Sequence, residues 1–179
     1  MPPRTRPTEN VWKYPRPPAL QQTSAHLRVV WKYAKSGEEV VIADTKRGYR
    51  VLETSHPPTY YFPPEDVKMS LLKNSAARRT MCEWKGMALY HDFAPQQEPL
   101  AKARIWSYPS PTPSFTQIKD YLCFYASSST NPNTIGGWTC YVDDDTVQAQ
   151  EGDFYGSWIT PEITGGDRGF KGGAGTWGW

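Results

Sequence analysis

Cysteine is scarce: the 179 residues contain only Cys82, Cys123 and Cys140. An odd number at wide, irregular spacing excludes a disulfide framework. Without a Cys-x-x-Cys pair, a structural zinc site would need scattered ligands. No apolar run approaches the roughly 20 residues of a membrane helix, and Met1-Pro2-Pro3-Arg4 leads into no apolar signal segment. A cytoplasmic protein with free thiols and no membrane association is the expectation. Charge of one sign is also lacking, with 20 basic against 18 acidic residues and a net charge of +2. No Lys/Arg block is longer than Arg78-Arg79, so the basic footprint of a nucleic-acid binder is missing. Neither a phosphate-cradling Gly-x-x-x-x-Gly-Lys-Ser/Thr nor Gly-x-Gly-x-x-Gly occurs, and His-Glu-x-x-His and Gly-x-Ser-x-Gly are absent too. No cofactor is therefore expected.

What the sequence has in quantity is proline, glycine and aromatic residues: 17 Pro, 14 Gly, and 14% Phe, Trp and Tyr. That punctuation suits short strands and tight turns rather than long helices. A chain of this length buries roughly 70% of its unfolded surface and needs no staples. The organisation predicted is a Pro-rich arm over residues 1–25, a mostly β domain over 26–150, and a Gly/Trp-rich extension over 151–179 packing on that domain. Val11, Trp12 and Tyr14 are candidates to pin the arm, and Trp177 and Trp179 are expected to dock because exposed indoles are costly.

β-branched and aromatic residues predict strands over 26–33, 39–44 and 49–53, read by their spacing as a meander. Further strands are predicted over 59–62, 80–84, 87–93, 101–106, 122–125 and 138–142, with Lys85-Gly86 as a tight turn. Pro64-Glu65-Asp66 starts like a helical turn, with Met69, Leu71 and Leu72 toward the core, and 114–119 reads as a short helix capped by Ser114. Asp143-Asp144-Asp145 reads as a solvated turn or a hard-cation ligand set.

Three segments concentrate the chemistry. In the first, Glu53 and His56 lie at a strand exit before Pro57-Pro58 and Tyr60-Tyr61. A carboxylate that orients an imidazole makes a general base, although the pair reads equally as a satisfied core contact. Tyr60 and Tyr61 face opposite ways on a strand, so only one can join a given pocket. In the second, Cys82 is a nucleophile if a neighbour lowers its pKa and otherwise a small core residue. Lys85, at its turn, is placed to meet an anionic group. In the third, Trp106 and Tyr108, with Trp84 and Tyr90, would wall a pocket or fill a core.

Leu52-Glu53-Thr54-Ser55-His56-Pro57-Pro58-Thr59-Tyr60-Tyr61-Phe62-Pro63-Pro64, then Cys82-Glu83-Trp84-Lys85-Gly86-Met87-Ala88-Leu89-Tyr90, then Trp106-Ser107-Tyr108-Pro109-Ser110-Pro111 resemble the signature of domain-of-unknown-function family 427. The resemblance spans about residues 27–148, and the Trp-ending tail looks like a longer variant of that family. It implies a β-tent-like (Mss-four-like) fold, a pair of small antiparallel sheets with one or two short helices. It also moves Glu53, His56, Tyr61, Cys82 and Lys85 toward a shared site. The family carries a nucleotidyltransferase-like label. That chemistry needs a phosphate-gripping Gly-Ser turn followed by spaced metal-binding acids, and Gly156-Ser157 comes after the acids.

Three functions compete. The first is an enzyme of cofactor-independent acid/base chemistry on a small organic molecule. His56 is its general acid/base, Glu53 the orienter and Lys85 the anion or carbonyl holder, with Tyr60 or Tyr61 as donor. The second is a noncatalytic module binding a small molecule or peptide in an aromatic cage. The third is a scaffold that forms a homodimer through arm and tail.

Overall fold

A computed structural model describes residues 6–172, apart from Pro132 and the side chains of Phe154 and Tyr155. In chain order the strands are β1 (Glu9–Asn10), β2 (Ala19–Gln22), β3 (Leu27–Lys32), β4 (Glu39–Thr45), β5 (Tyr49–Leu52), β6 (Thr59–Phe62), β7 (Leu72–Asn74) and β8 (Thr80–Cys82). They continue as β9 (Gly86–Phe93), β10 (Ala101–Ser107), β11 (Leu122–Phe124), β12 (Gly137–Val142), β13 (Asp145–Thr146), β14 (Gln148–Ala149), β15 (Trp158–Ile159) and β16 (Ile163–Thr164). The helical elements among the described residues are short 3₁₀ turns. One is Pro64–Asp66, as expected, and another is Pro113–Ile118, whose cap position is Thr112 rather than Ser114. Leu71 and Leu72 pack against the core while Met69 stays exposed.

The protein is mostly β, built on two antiparallel sheets. The smaller runs β13-β12-β3-β4 and the larger β2-β5-β6-β11-β10-β9-β7, with β8 hairpinned onto β9. Alternation decides which side chains face in. Leu27, Val29 and Trp31 of β3 are buried while Arg28 and Val30 are only half-buried. β12 runs antiparallel to β3 over its whole length, from Gly137 opposite Lys32 to Val142 opposite Leu27. The inner face of the small sheet meets Tyr60, Phe62, Phe93, Ile105 and Phe124 of the large one. Burying a side chain of this size contributes on the order of 2 kcal/mol. On the other face of the large sheet Val51, Tyr61, Trp106, Tyr108 and Cys123 pack with Phe115 and Ile118. The large sheet is thus covered on both faces, and Tyr60 and Tyr61 lie on opposite ones.

The expected meander breaks after its second strand. β5 does not pair with β4; it crosses to the large sheet and lies between β2 and β6. Gly48 sits at the crossing, where a Cβ would meet Leu27 Cδ1 at 2.8 Å and the Tyr61 carbonyl at 2.9 Å. The two sheets converge there too closely for a side chain. Arg47 and Thr45 both bond Asp66 at this corner, the hydroxyl at 2.7 Å.

Both ends of the described chain contribute to the body. β2 is an edge strand of the large sheet, and β1 pairs in parallel with β16. Val11 is fully buried, and the Trp12 indole donates to the Gly169 carbonyl at 2.9 Å under the Arg168 guanidinium. The Tyr14 carbonyl accepts from the Thr54 hydroxyl at 2.6 Å. Trp177 and Trp179 lie outside the described residues.

The acidic run is a turn after β12 with Asp144 exposed, as expected, but its flanking acids are paired rather than left as an open ligand set. Arg6 bonds Asp143 at 2.6 Å and reaches Asp145 and the buried Glu162 as well. The Arg6→Ala protein is expected to lose about 1–2 kcal/mol, because Glu162 keeps its burial and loses its cation. A chemical-denaturation midpoint measured at low and at high salt checks this, and the loss should shrink as salt screens the pair.

Candidate active site

Most of the residues singled out in the sequence converge on a hollow on the outer face of the large sheet. Strand β5 and the loop after it bring Val51, Glu53, His56 and Pro57, and β6 adds Thr59. The β8–β9 hairpin brings Thr80, Met81, Cys82, Lys85, Ala88 and Tyr90. Trp106, Tyr108, Tyr125 and Ser157 close the wall. The cavity is about 100 Å³ and open to solvent past the exposed Thr80 and Met81. That suits a small organic molecule and is far below the roughly 300–1,000 Å³ of sites for drug-sized ligands.

Three predicted residues are not on this wall. Tyr60 lies on the opposite face of the sheet, its ring 5.1 Å from that of Trp158. Tyr61 is fully buried in the cluster beneath, its ring 6.4 Å from Tyr108. Trp84, on the hairpin turn, packs against that cluster with Arg16 over its ring. Conversely, Ser157, Tyr125 and Thr59 line the hollow without having been singled out in the sequence. Ser157 lies about a hundred residues from His56, and the Gly156-Ser157 pair in the sequence does not mark it as part of this wall. Tyr125 is held by Arg104, whose guanidinium lies 4.0 Å from its ring centroid.

His56 leaves the strand on a tight turn. Ser55 before it has φ +75°, and the His56 amide donates to the Glu53 carbonyl at 3.0 Å. That turn is fastened from both ends of the chain. The Ser55 amide donates to the Val11 carbonyl at 3.0 Å, and the Ser55 carbonyl accepts from the Lys171 amide at 2.9 Å. The Thr54 carbonyl lies 2.9 Å from His56 Nδ1. A carbonyl only accepts, so Nδ1 carries the proton and Nε2 is the basic nitrogen of the neutral ring. Burial holds the imidazole below the usual histidine value. Glu53 and the Thr54 bond pull the other way, while Lys171 and Lys85 add to the lowering.

Lys85 is only 5% exposed, and among the described residues no carboxylate lies within ion-pairing distance of it. Its ammonium lies 5.9 Å from the centroid of the Tyr108 ring. Its backbone is fixed by Thr112, whose amide donates to the Lys85 carbonyl at 3.1 Å and whose hydroxyl donates to the Trp84 carbonyl. The next residue, Gly86, has φ +108° and lies against the Ser110 carbonyl, a conformation that a side chain would strain. Burial pushes the Tyr108 and Tyr61 hydroxyls well above the usual tyrosine value, so both remain proton donors. Cys123 and Cys140 are fully buried and their thiols are likewise pushed up. Cys82 is half-buried on the pocket wall, which leaves it the accessible thiol of the three.

The family described as Domain of unknown function (DUF427) matches residues 19–134, well over half of the chain. The chain belongs to this family. The DUF427 region supplies Glu53, His56, Cys82, Lys85, Tyr90, Trp106, Tyr108 and Tyr125, while Ser157 and the Val11 and Lys171 contacts to Ser55 come from outside it. No curated protein matches the chain. No helix among the described residues is long and apolar enough to cross a membrane.

A second buried histidine sets a pH dependence. His91 Nε2 lies 2.8 Å from the Ser107 hydroxyl, and burial holds its pKa, like that of His56, below the ordinary value of about 6.5. The unfolded chain therefore takes up protons near pH 6.5 that the folded one refuses, so stability is fully present above that pH and falls as pH drops below it. Urea midpoints measured from pH 7.5 to pH 5.5 should decline, and a His91→Asn variant that folds should show a shallower decline.

Proposed function

We propose that the chain is an enzyme performing cofactor-independent acid/base chemistry, such as isomerisation, cyclisation, dehydration or hydrolysis, on a small organic molecule. The observation that carries this reading is the convergence of Glu53, His56 and Lys85 on one solvent-reached hollow with aromatic walls. The imidazole is kept neutral by burial, its Nδ1–H is committed to Thr54, and its other nitrogen is the base. Glu53 favours the imidazolium that forms once a proton is taken. Tyr108 is a protonated hydroxyl on the same wall, fit to donate to an oxygen that gains charge.

The test begins with a thermal-shift screen of the protein against small metabolites, followed by incubation of each stabilising compound in D₂O. The enzyme reading expects conversion, or deuterium wash-in at a carbon-bound hydrogen, with a rate that rises with pH to a plateau. Its midpoint should lie below the ordinary histidine value, because the neutral ring is the active form. A ligand that binds and is neither converted nor exchanged would leave the aromatic wall as a noncatalytic binding cage instead.

A further inference from the structure

We infer that the hollow takes a small organic anion, its carboxylate neutralising Lys85 with Ser157 as a hydroxyl donor. This names a substrate class for the site proposed above and rests on that reading for the chemistry, though not for the binding.

Two polar groups on the wall have no counterpart among the described residues: the Lys85 ammonium meets no carboxylate, and the Ser157 hydroxyl has no hydrogen-bond partner. Lys85 is nine-tenths buried and, among the described residues, meets no carboxylate; the Tyr108 ring face is its neighbour instead. A cation in a largely buried residue bordering a small hollow favours an anion there. Ser157 is 1% exposed, and its hydroxyl has no hydrogen-bond partner among the described residues. Buried hydroxyls are nearly always bonded. Both residues line the same cavity, and the inference assigns one carboxylate to both, held first by Lys85 and reached by the Ser157 hydroxyl from the wall.

The other charges bordering the cavity set the ligand's orientation. Glu53 is half-buried on the wall, and its charge acts on His56 together with those of Lys85 and Lys171. A ligand carboxylate is repelled by Glu53 and attracted by Lys85, so the uncharged, proton-bearing end is turned toward Glu53 and His56. Size narrows the class further. The cavity of about 100 Å³ is smaller than the ~150 Å³ that holds benzene. It therefore accepts an acid of a few heavy atoms, and anything longer must project past Thr80 and Met81.

Cys82 provides a reporter on the wall of the hollow that needs no knowledge of the substrate. Its thiolate displaces iodide from iodoacetate or from iodoacetamide, which differ chiefly in charge. The two rate constants at Cys82, read by mass spectrometry of its peptide, are divided by those of a free thiol in the same buffer. The expected iodoacetate-to-iodoacetamide preference is about fivefold or more. Lys85→Met should return it to the free-thiol value, Lys85→Arg should keep it, and Ser157→Ala should reduce it about twofold. Glycolate and malonate should slow the reaction with iodoacetamide, and glycolamide should not. A wild-type preference no greater than that of the free thiol overturns the inference, as does a preference unchanged in Lys85→Met. If Lys85→Met fails to fold, chloride at high concentration decides with the wild-type protein, since an anion site loses its preference as salt competes and a merely steric effect does not. The His56→Ala protein should retain the anion preference whatever it does to turnover. Anion preference without any conversion therefore defeats the catalytic reading alone, and conversion without anion preference defeats this one alone.

Discussion

Replacing Trp158 by alanine is expected to cost about 3–5 kcal/mol of stability, the range for losing a large buried aromatic. Trp158 is fully buried, its ring 5.1 Å from Tyr60 and 6.0 Å from Phe62. Its indole donates to the Phe124 carbonyl at 2.8 Å, and its amide donates to the Pro58 carbonyl at 3.0 Å. Truncation opens a cavity between the sheets and orphans a buried carbonyl at once. For a chain of this size the thermal midpoint should fall by roughly 10 °C. Trp158→Phe keeps most of the packing and loses the indole bond, so about 1–2 kcal/mol is expected. Equilibrium urea unfolding of the three proteins checks both figures. A loss below about 1 kcal/mol for the alanine variant would mean that the segment after the DUF427 region is not part of the core.

The second large effect is chemical rather than structural. The His56→Ala protein should turn over an identified substrate about 10²–10⁴-fold more slowly, the usual contribution of a positioned general base. Alanine there should leave the fold standing, because the turn keeps the backbone bonds of Ser55 when it loses the imidazole bond to the Thr54 carbonyl. Glu53→Gln separates orientation from basicity. Glu53 raises the affinity of His56 for a proton against the larger effect of burial, so removing its charge should move the pH midpoint of the rate further down. Undiminished turnover by the alanine variant would remove His56 from the chemistry.

Local alternation made the strands legible. Leu27, Val29 and Trp31 alternate with polar or half-buried neighbours, and the Tyr60-Tyr61 pair could be assigned to opposite faces from the period of a strand. Pairing partners were not legible. Nothing in residues 45–52 says that β5 leaves the sheet of β4, because that depends on Gly48 fitting between Leu27 and Tyr61, contacts 21 and 13 residues away. The candidate site was legible where its residues lie in short runs, as Glu53 and His56 do, or Cys82 and Lys85. Ser157 was not, since it reaches the wall only through β14, β15 and the packing of Trp158. The turn at Asp143-Asp144 was legible, but its ion pairing was not, for the same reason. The partner of Asp143 and Asp145, Arg6, stands at the far end of the chain.

The fastening of Ser55 makes the imidazole loop a guy-line between two distant anchors. One lies before and the other after the stretch that defines the family. A fragment trimmed to residues 19–134 would keep the base, the acid and the ammonium, yet it would lose the two hydrogen bonds that hold Ser55 at positive φ. Such a fragment would carry the ingredients of the site without their tension. Any shorter relative must hold its histidine turn by other means.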